Sequence, residues 1–258
     1  MEQQPKQTFE DSRMGLFTAS EISRLLVSGS RPMTETELAE EKAKGGKRKT
    51  VDTLFGDGAV TYMNEKIGIC ITGETPPTFD TVATRWGKEQ EEDAIKWFEL
   101  ITKKKVQHFG VFEYRFFPYK NSGGCSPDAK VIEESACVQV KCPYLSSNHV
   151  TYLRVIGDQK KRQEWLKKNE KDYYAQCQFE MMCLGEAEGK KTLEKCYFVT
   201  YDPRTNDHWL RMSIFELTPD ESLQADIDLR ITEAHKIVSE TLKQFSEPSE
   251  LYYSKQAA

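Results

Sequence analysis

Three polar side chains recur at a spacing that suits catalysis: Asp128 in Ser126-Pro127-Asp128, then Gln139 and Lys141 in Gln139-Val140-Lys141, eleven residues further on. Between them Glu133, Glu134 and Ser135 form a charged turn joining two β-prone runs, which is the layout of a hairpin. Strand side chains repeat every two residues, so Gln139 and Lys141 share one face of the second strand, and Asp128, at the mouth of the first, meets them. An acid, a second acid and a lysine converging in this way suit metal-assisted phosphodiester hydrolysis. The acids hold Mg²⁺ through hard oxygen ligands, and the lysine orients the attacking water and offsets charge on the phosphate. Here the middle position is an amide, Gln139, which keeps the shape of a carboxylate but lacks its charge and half its acceptor capacity.

The neighbouring elements must hold this hairpin in place. A long helix over Phe79–Thr102, with Val82, Ala83, Trp86, Ala94, Trp97, Phe98 and Ile101 as its apolar positions, is placed to pack beside it. The acidic run Glu89–Asp93 on that helix is mostly a solvent face, and Glu91 is the member to point at a metal. A strand over Val106–Phe117 enters the central sheet ahead of the hairpin. After it, Tyr173–Gly185 reads as a helix closed by its terminal glycine, with Gln176 and Glu180 on one face and Tyr174, Cys177, Met181 and Leu184 as core. Strands over Glu194–Tyr201 and His208–Leu217 flank a turn at Asp202–Asn206, and a last helix runs from Pro219 to the region of Phe245.

Towards the N-terminus, residues 1–12 read as a flexible arm. Thr18 and Glu21 have capping-box spacing ahead of a helix carrying Ile22, Leu25 and Leu26 on one face. Its free N–H groups, the Ser20 hydroxyl and the Arg13 guanidinium make an anion site for a terminal phosphate; the plainer alternative is a capped helix with a surface arginine. Residues 28–50, with KAKGGKRK from Lys42 to Lys49, read as a basic loop that is either solvated or tracks a DNA backbone. Residues 51–68 read as a helix, and the lysine-rich stretch within 146–172 admits the same two readings as the basic loop. The order of elements is that of a central mixed sheet flanked by helices, α/β or α+β in class.

Composition narrows the function. Hydrophobic residues at 38% and charged residues at 30% fit a folded chain, and 258 residues bury a substantial core, here expected as one domain. No apolar run approaches the roughly 20 residues that cross a bilayer. The opening MEQQPKQTFEDSR lacks the regions of a signal peptide, so the expected location is the cytoplasm. Seven scattered cysteines without a CxxC pair are expected as reduced thiols, and Cys183 and Cys196 are too few and too far apart for an iron–sulfur cluster. Four histidines give no zinc signature. A net charge of −5 excludes a protein that coats nucleic acid with its whole surface, though not a basic channel on an acidic body.

Six blocks in order, RMGLFTASE from Arg13, WGKEQEEDA from Trp86, CSPDAK from Cys125, VQVKCP from Val138, YYAQCQ from Tyr173 and YDPR from Tyr201, together resemble the lambda-type phage exonucleases. These are also called the YqaJ-type viral recombinase family, within the PD-(D/E)XK superfamily. The likeness spans Arg13 to Leu217 and implies a restriction-endonuclease-like fold in a single nuclease domain over residues 1–258, with a polar tail over 247–258. It implies a processive 5′→3′ exonuclease on double-stranded DNA ends, using Mg²⁺ (or Mn²⁺ in its place) at a two-metal site. Such an enzyme releases 5′-mononucleotides and leaves a 3′ single strand for a phage annealing protein. Family members look like ring-shaped trimers, so a homotrimer, phage-encoded and working in a bacterial cytoplasm, is implied as well.

By position, Asp128 resembles the family's metal-binding Asp, Gln139 stands where the second metal-binding Glu belongs, Val140 matches a backbone carbonyl ligand and Lys141 the catalytic lysine. Glu91 resembles the helix acid near the metals, and Gln176 the glutamine that follows the site. Arg13 and Ser20, with Arg31 one residue out of step, resemble the group that holds the 5′-phosphate. Gln139 departs from the pattern, and three accounts compete: a deliberate inactivating substitution, a natural pseudonuclease, or a carboxylate supplied from the turn by Glu133 or Glu134. The rival functions are a DNA-end-binding protein that never cuts and a PD-(D/E)XK endonuclease or RNase.

Overall fold

The computed structural model describes residues 15–77, 79–109, 115–120 and 122–246. The arm expected over 1–12, Arg13, the tail over 247–258 and the middle of the strand expected over Val106–Phe117 lie outside them. The chain opens with β1 (Phe17–Thr18) and a 3-10 helix (Ala19–Leu26), then β2 (Gly29–Pro32), α1 (Glu35–Ala43), β3 (Thr50–Thr53), α2 (Asp57–Thr72) and α3 (Val82–Thr102). Next come β4 (Val106–His108), β5 (Phe117–Tyr119), β6 (Gly123–Cys125) and the hairpin strands β7 (Ala129–Val131) and β8 (Ala136–Lys141). Helices α4 (Ser146–Leu153), α5 (Gln159–Asn169) and α6 (Lys171–Ala187) lead to β9 (Lys195–Tyr201), a 3-10 turn (His208–Leu210), β10 (Met212–Leu217) and α7 (Glu221–Ser246).

The central sheet has five strands in the order β10-β9-β8-β7-β4, with β8 and β9 parallel and the other pairs antiparallel. This is the mixed sheet flanked by helices that the sequence implies. Strand β8 is buried from Ala136 to Val140, because both of its faces are covered. Ala136, Val138 and Val140 pack with Ala94, Ile95 and Phe98 of α3 on one side. Cys137, on the other, packs with Tyr174, Cys177 and Met181 of α6. Two layers of helix therefore clamp the strand that carries Gln139 and Lys141.

Helix α6 is buried without a break from Tyr174 to Gly185. Its Tyr174, Cys177, Met181 and Leu184 are core, as the sequence suggests, and join Phe198 and Phe215 of the central sheet. The opposite stripe, Ala175, Phe179, Met182 and Cys183, meets Phe17, Ile22 and Leu25 and the α7 residues Ile227 and Ile231. A helix apolar all round is a central one, with neighbours on every side. Gly185 does not close this helix, contrary to the sequence reading, since α6 continues to Ala187. It marks a close approach instead: a Cβ there would stand 2.4 Å from Thr192 Cα. We expect Gly185→Ala to lower stability in a denaturant titration by about 1–3 kcal/mol, the cost of overpacking exceeding the ~1 kcal/mol gained in helix propensity.

Other boundaries also differ. The basic loop read over residues 28–50 contains β2 and α1 and ends where β3, the partner of β2, begins; α1 opens with a capping box of Thr34 and Glu37 that the sequence reading missed. The capping box expected from Thr18 and Glu21 does not form: the Thr18 side chain makes no cap bond, and Glu21 pairs with Arg24 at 2.9 Å. The helix read over residues 51–68 is shifted, because Thr50–Thr53 is strand β3 and α2 runs from Asp57 to Thr72. The strand expected from His208 starts at Met212, after the 3-10 turn.

Candidate active site

The pairing of Ala129 with Val138 in the β7–β8 hairpin puts Asp128 across from Gln139, so both side chains leave the same face of the sheet. Gln139 Nε2 donates to Asp128 Oδ2 at 2.7 Å, and the Val140 N–H donates to the same oxygen at 2.5 Å. Gln139 Nε2 also lies 3.4 Å from the Val140 carbonyl oxygen. A cavity of about 740 Å³ opens here, lined among others by Glu91, Asp128, Gln139, Val140, Lys141 and Tyr173. Five of the residues singled out from the sequence thus face one space, four from the hairpin and Glu91 from α3.

The electrostatics follow from burial. Asp128 is pushed up from the ordinary carboxylate range by burial and then by the charge of Glu91, while Lys141 and the Val140 N–H act against the rise. Glu91 is likewise raised by burial and drawn back by Lys141. Two carboxyl groups sharing a poorly solvated space are each hard to ionise unless a cation compensates. Lys141 supplies one positive charge, and its Nζ sits 5.0 Å from the centre of the Tyr173 ring, which limits where the ammonium points.

Among the described residues, Gln139 Oε1 is buried and has no hydrogen-bond partner. A neutral oxygen left unpaired beside two carboxylates and a backbone carbonyl is an all-oxygen donor set, the kind that hard divalent cations take. The residues present therefore fit one such ion. They fit a second less well, because Gln139 brings no charge.

The remaining residues singled out from the sequence fall elsewhere. Gln176 does not line the cavity; its Nε2 donates to Glu180 Oε1 at 2.8 Å, inside the protein. Ser20 is exposed on the 3-10 helix, with its hydroxyl 3.4 Å from that of Thr18. Arg31 is engaged by both terminal nitrogens with Glu37, at 2.8 Å each, which argues against a free phosphate clamp. Arg13 is outside the described residues. The turn does not supply a carboxylate: Glu134 is held by Lys104 and by the Tyr197 hydroxyl, and Glu133 is exposed.

Two residues near the site were given no part in it by the sequence reading. His108, on β4, lies with Nε2 3.5 Å from Glu91 Oε1, and it pairs with Ala129, the residue next to Asp128 in the chain, on the face of the sheet turned to α3. Its signal was the alternation Val106-Gln107-His108 in a strand next to the hairpin. Glu180 is fully buried and pushed up to about 8, by burial first and then by the charge of Asp128. Its signal was a lone acid inside an otherwise uncharged buried helix.

The sequence model of the YqaJ-like viral recombinase domain matches residues 8–187, most of the chain. The chain belongs to the YqaJ-like viral recombinase family. No curated protein sequence matches it significantly. Among solved structures, this recombinase-family chain is similar to LHK-Exo in complex with dAMP, with a TM-score of 0.64 at 20% identity over 96% of this chain and 97% of the other. The alkaline exonuclease LHK-Exo from Laribacter hongkongensis is also similar, at a TM-score of 0.63, 20% identity and the same coverage. A phage related exonuclease from Haemophilus somnus 129PT gives a TM-score of 0.59 at 15% identity, over 89% of this chain and 96% of that one. The fold of this YqaJ-like chain is thus that of the PD-(D/E)XK-type exonucleases, and membership supports a nuclease that uses a divalent metal. No helix among the described residues is long and apolar enough to cross a membrane.

Proposed function

We propose that this chain is a Mg²⁺-dependent 5′→3′ exonuclease acting on double-stranded DNA ends, in one nuclease domain, with its rate held down by Gln139. The observation that carries the reading is the single cavity into which Glu91 from α3 and Asp128, Gln139, Val140 and Lys141 from the hairpin all open. Asp128, Glu91 and the Val140 carbonyl are the groups to hold the cation, with Mn²⁺ able to replace Mg²⁺. When bound, the cation supplies Lewis-acid polarisation of the scissile phosphate.

Lys141, steadied over the Tyr173 ring, orients the attacking water and offsets the charge that grows on the phosphate oxygens. Gln139 donates to Asp128, which keeps the acid in place but ties up one of the oxygens a cation would take. The product would be a 5′-mononucleotide, and the dAMP bound by LHK-Exo is a nucleotide of that class. The released 3′ strand would serve recombination through a phage annealing protein, with a homotrimer in the host cytoplasm as the working form. Arg13 and Ser20 are assigned to the 5′-phosphate: Arg13→Ala should reduce the preference for 5′-phosphorylated over 5′-hydroxyl ends, read as a ratio of initial rates.

Linear and covalently closed circular duplexes test the reaction class. The expected result is nucleotide release from the linear form alone, and nicking of the circle would move the protein to the endonucleases. A second reading, an end-binding protein that never cuts, is favoured by the hydrogen bond from Gln139 to Asp128, because an internal donor occupies the place of a cation.

A further inference from the structure

We propose that Glu180 supplies the third negative charge of the cation site when an ion is bound, a charge carried by α6 instead of by position 139 of β8. The proposal rests on the reading of the cavity as a cation site given above. Glu180 is the one charged residue in the stretch of α6 buried from Tyr174 to Gly185, and it is 0% exposed. Placing a carboxylate there costs several kcal/mol unless something compensates it. Hydrogen bonding answers only half of that cost. Oε1 accepts from Gln176, whereas Oε2 is buried with no partner among the described residues.

The geometry shows which way the acid faces. A carboxylate oxygen of Glu180 lies within 4.8 Å of Cys137 Sγ and Cys196 Sγ, on the face of β8 that looks at α6. Gln139 is the next residue on that same face, two positions along the strand, and its Oε1 is the other buried orphan. Gln139 Oε1 belongs to the cavity lining and Glu180 Oε2 lies behind it, so two unpartnered oxygens on facing elements put negative potential on that side of the cation site. Glu180 also lies within the fields of both Asp128 and Lys141. Counting charges, Asp128, Glu91 and Glu180 restore the three carboxylates that a Glu at 139 would otherwise complete, so the amide and the acid act as an exchanged pair. This gives Gln176 a role too: its amide holds Glu180 towards the strand.

The test is calorimetric titration of Mn²⁺ into the DNA-free full chain, comparing wild type with E180Q, Q139E, D128N and the E180Q/Q139E double variant. E180Q should weaken Mn²⁺ binding at least tenfold, and the double variant, with the charge returned to β8, should restore it. Circular dichroism and thermal melting check that each variant is folded; if E180Q is not, Glu180→Met, which also removes the carboxylate, takes its place with the same expectation. Unchanged affinity in folded E180Q, with loss in D128N, makes Glu180 a neutral structural acid beside the thiols and overturns the proposal. Loss in E180Q without restoration in the double variant overturns the exchange. Unchanged affinity in D128N instead overturns the cation site itself, so the two failures are told apart.

Discussion

Replacing Gln139 by Glu is expected to raise Mg²⁺-dependent release of acid-soluble nucleotide from linear duplex DNA by about 100-fold. The amide now donates to Asp128 and leaves a neutral oxygen facing the cavity. A carboxylate loses that bond and adds a full negative charge beside the cation. Two unit charges about 4 Å apart interact by about 4 kcal/mol at an effective dielectric of 20. Repulsion from Asp128 and from Glu180 cancels part of this, and a remainder of about 2.7 kcal/mol corresponds to 100-fold in rate. The same repulsion makes a second, opposite expectation for the free protein. Without a divalent ion, Gln139→Glu should melt below the wild type, and added Mg²⁺ should recover more of its melting temperature than it does for the wild type. Equal nuclease activity in the two forms would remove position 139 from the cation site.

Lys141→Met carries the other large effect. Methionine keeps the length and apolar stem of the side chain but removes the ammonium that now faces Glu91 and Asp128 from above the Tyr173 ring. Measured in the Gln139→Glu background, where the signal is largest, kcat should fall about 1,000-fold with little change in KM, within the range typical of groups that assist proton transfer or stabilise charge in the transition state. Loss of the positive charge also leaves the Asp128 and Glu91 carboxyl groups harder to ionise, so the Mg²⁺ concentration for half-maximal rate should rise. A variant with full kcat would place the lysine outside the reaction.

Much of this site was legible because it is local. Asp128, Gln139, Val140 and Lys141 lie in one hairpin, and a period of two along a strand is enough to say which of them meet. Glu91 was legible chiefly through the family resemblance, and on α3 it lies one turn before the buried Ala94 and Ile95, on the face turned to the sheet. His108 and Glu180 are brought near the site by strand pairing and helix packing between distant parts of the chain, and their local signals, a short alternation and a lone acid in a buried helix, do not say what they will meet. The small β2–β3 ribbon was missed because Gly29–Pro32 and Thr50–Thr53 are largely exposed, so no alternation of apolar residues announces them. Gly185 misled because a glycine near a helix end usually relieves a left-handed turn, whereas here it makes room for the backbone of Thr192.

Strands β8 and β9 lie side by side in parallel, with Gln139 level with Phe198, yet α4, α5 and α6 intervene between them along the chain. Hairpins close quickly, while pairings across such a separation wait for the intervening segment to be made and to collapse. During synthesis the hairpin and α3 therefore emerge first, and Tyr173, Glu180 and the shelter of β9 arrive only after many more residues have left the ribosome. A nascent chain that already carries Asp128 and Lys141 therefore lacks the Tyr173 ring that steadies the ammonium and the strand that covers β8, so the arrangement of the candidate site is complete only in the finished molecule.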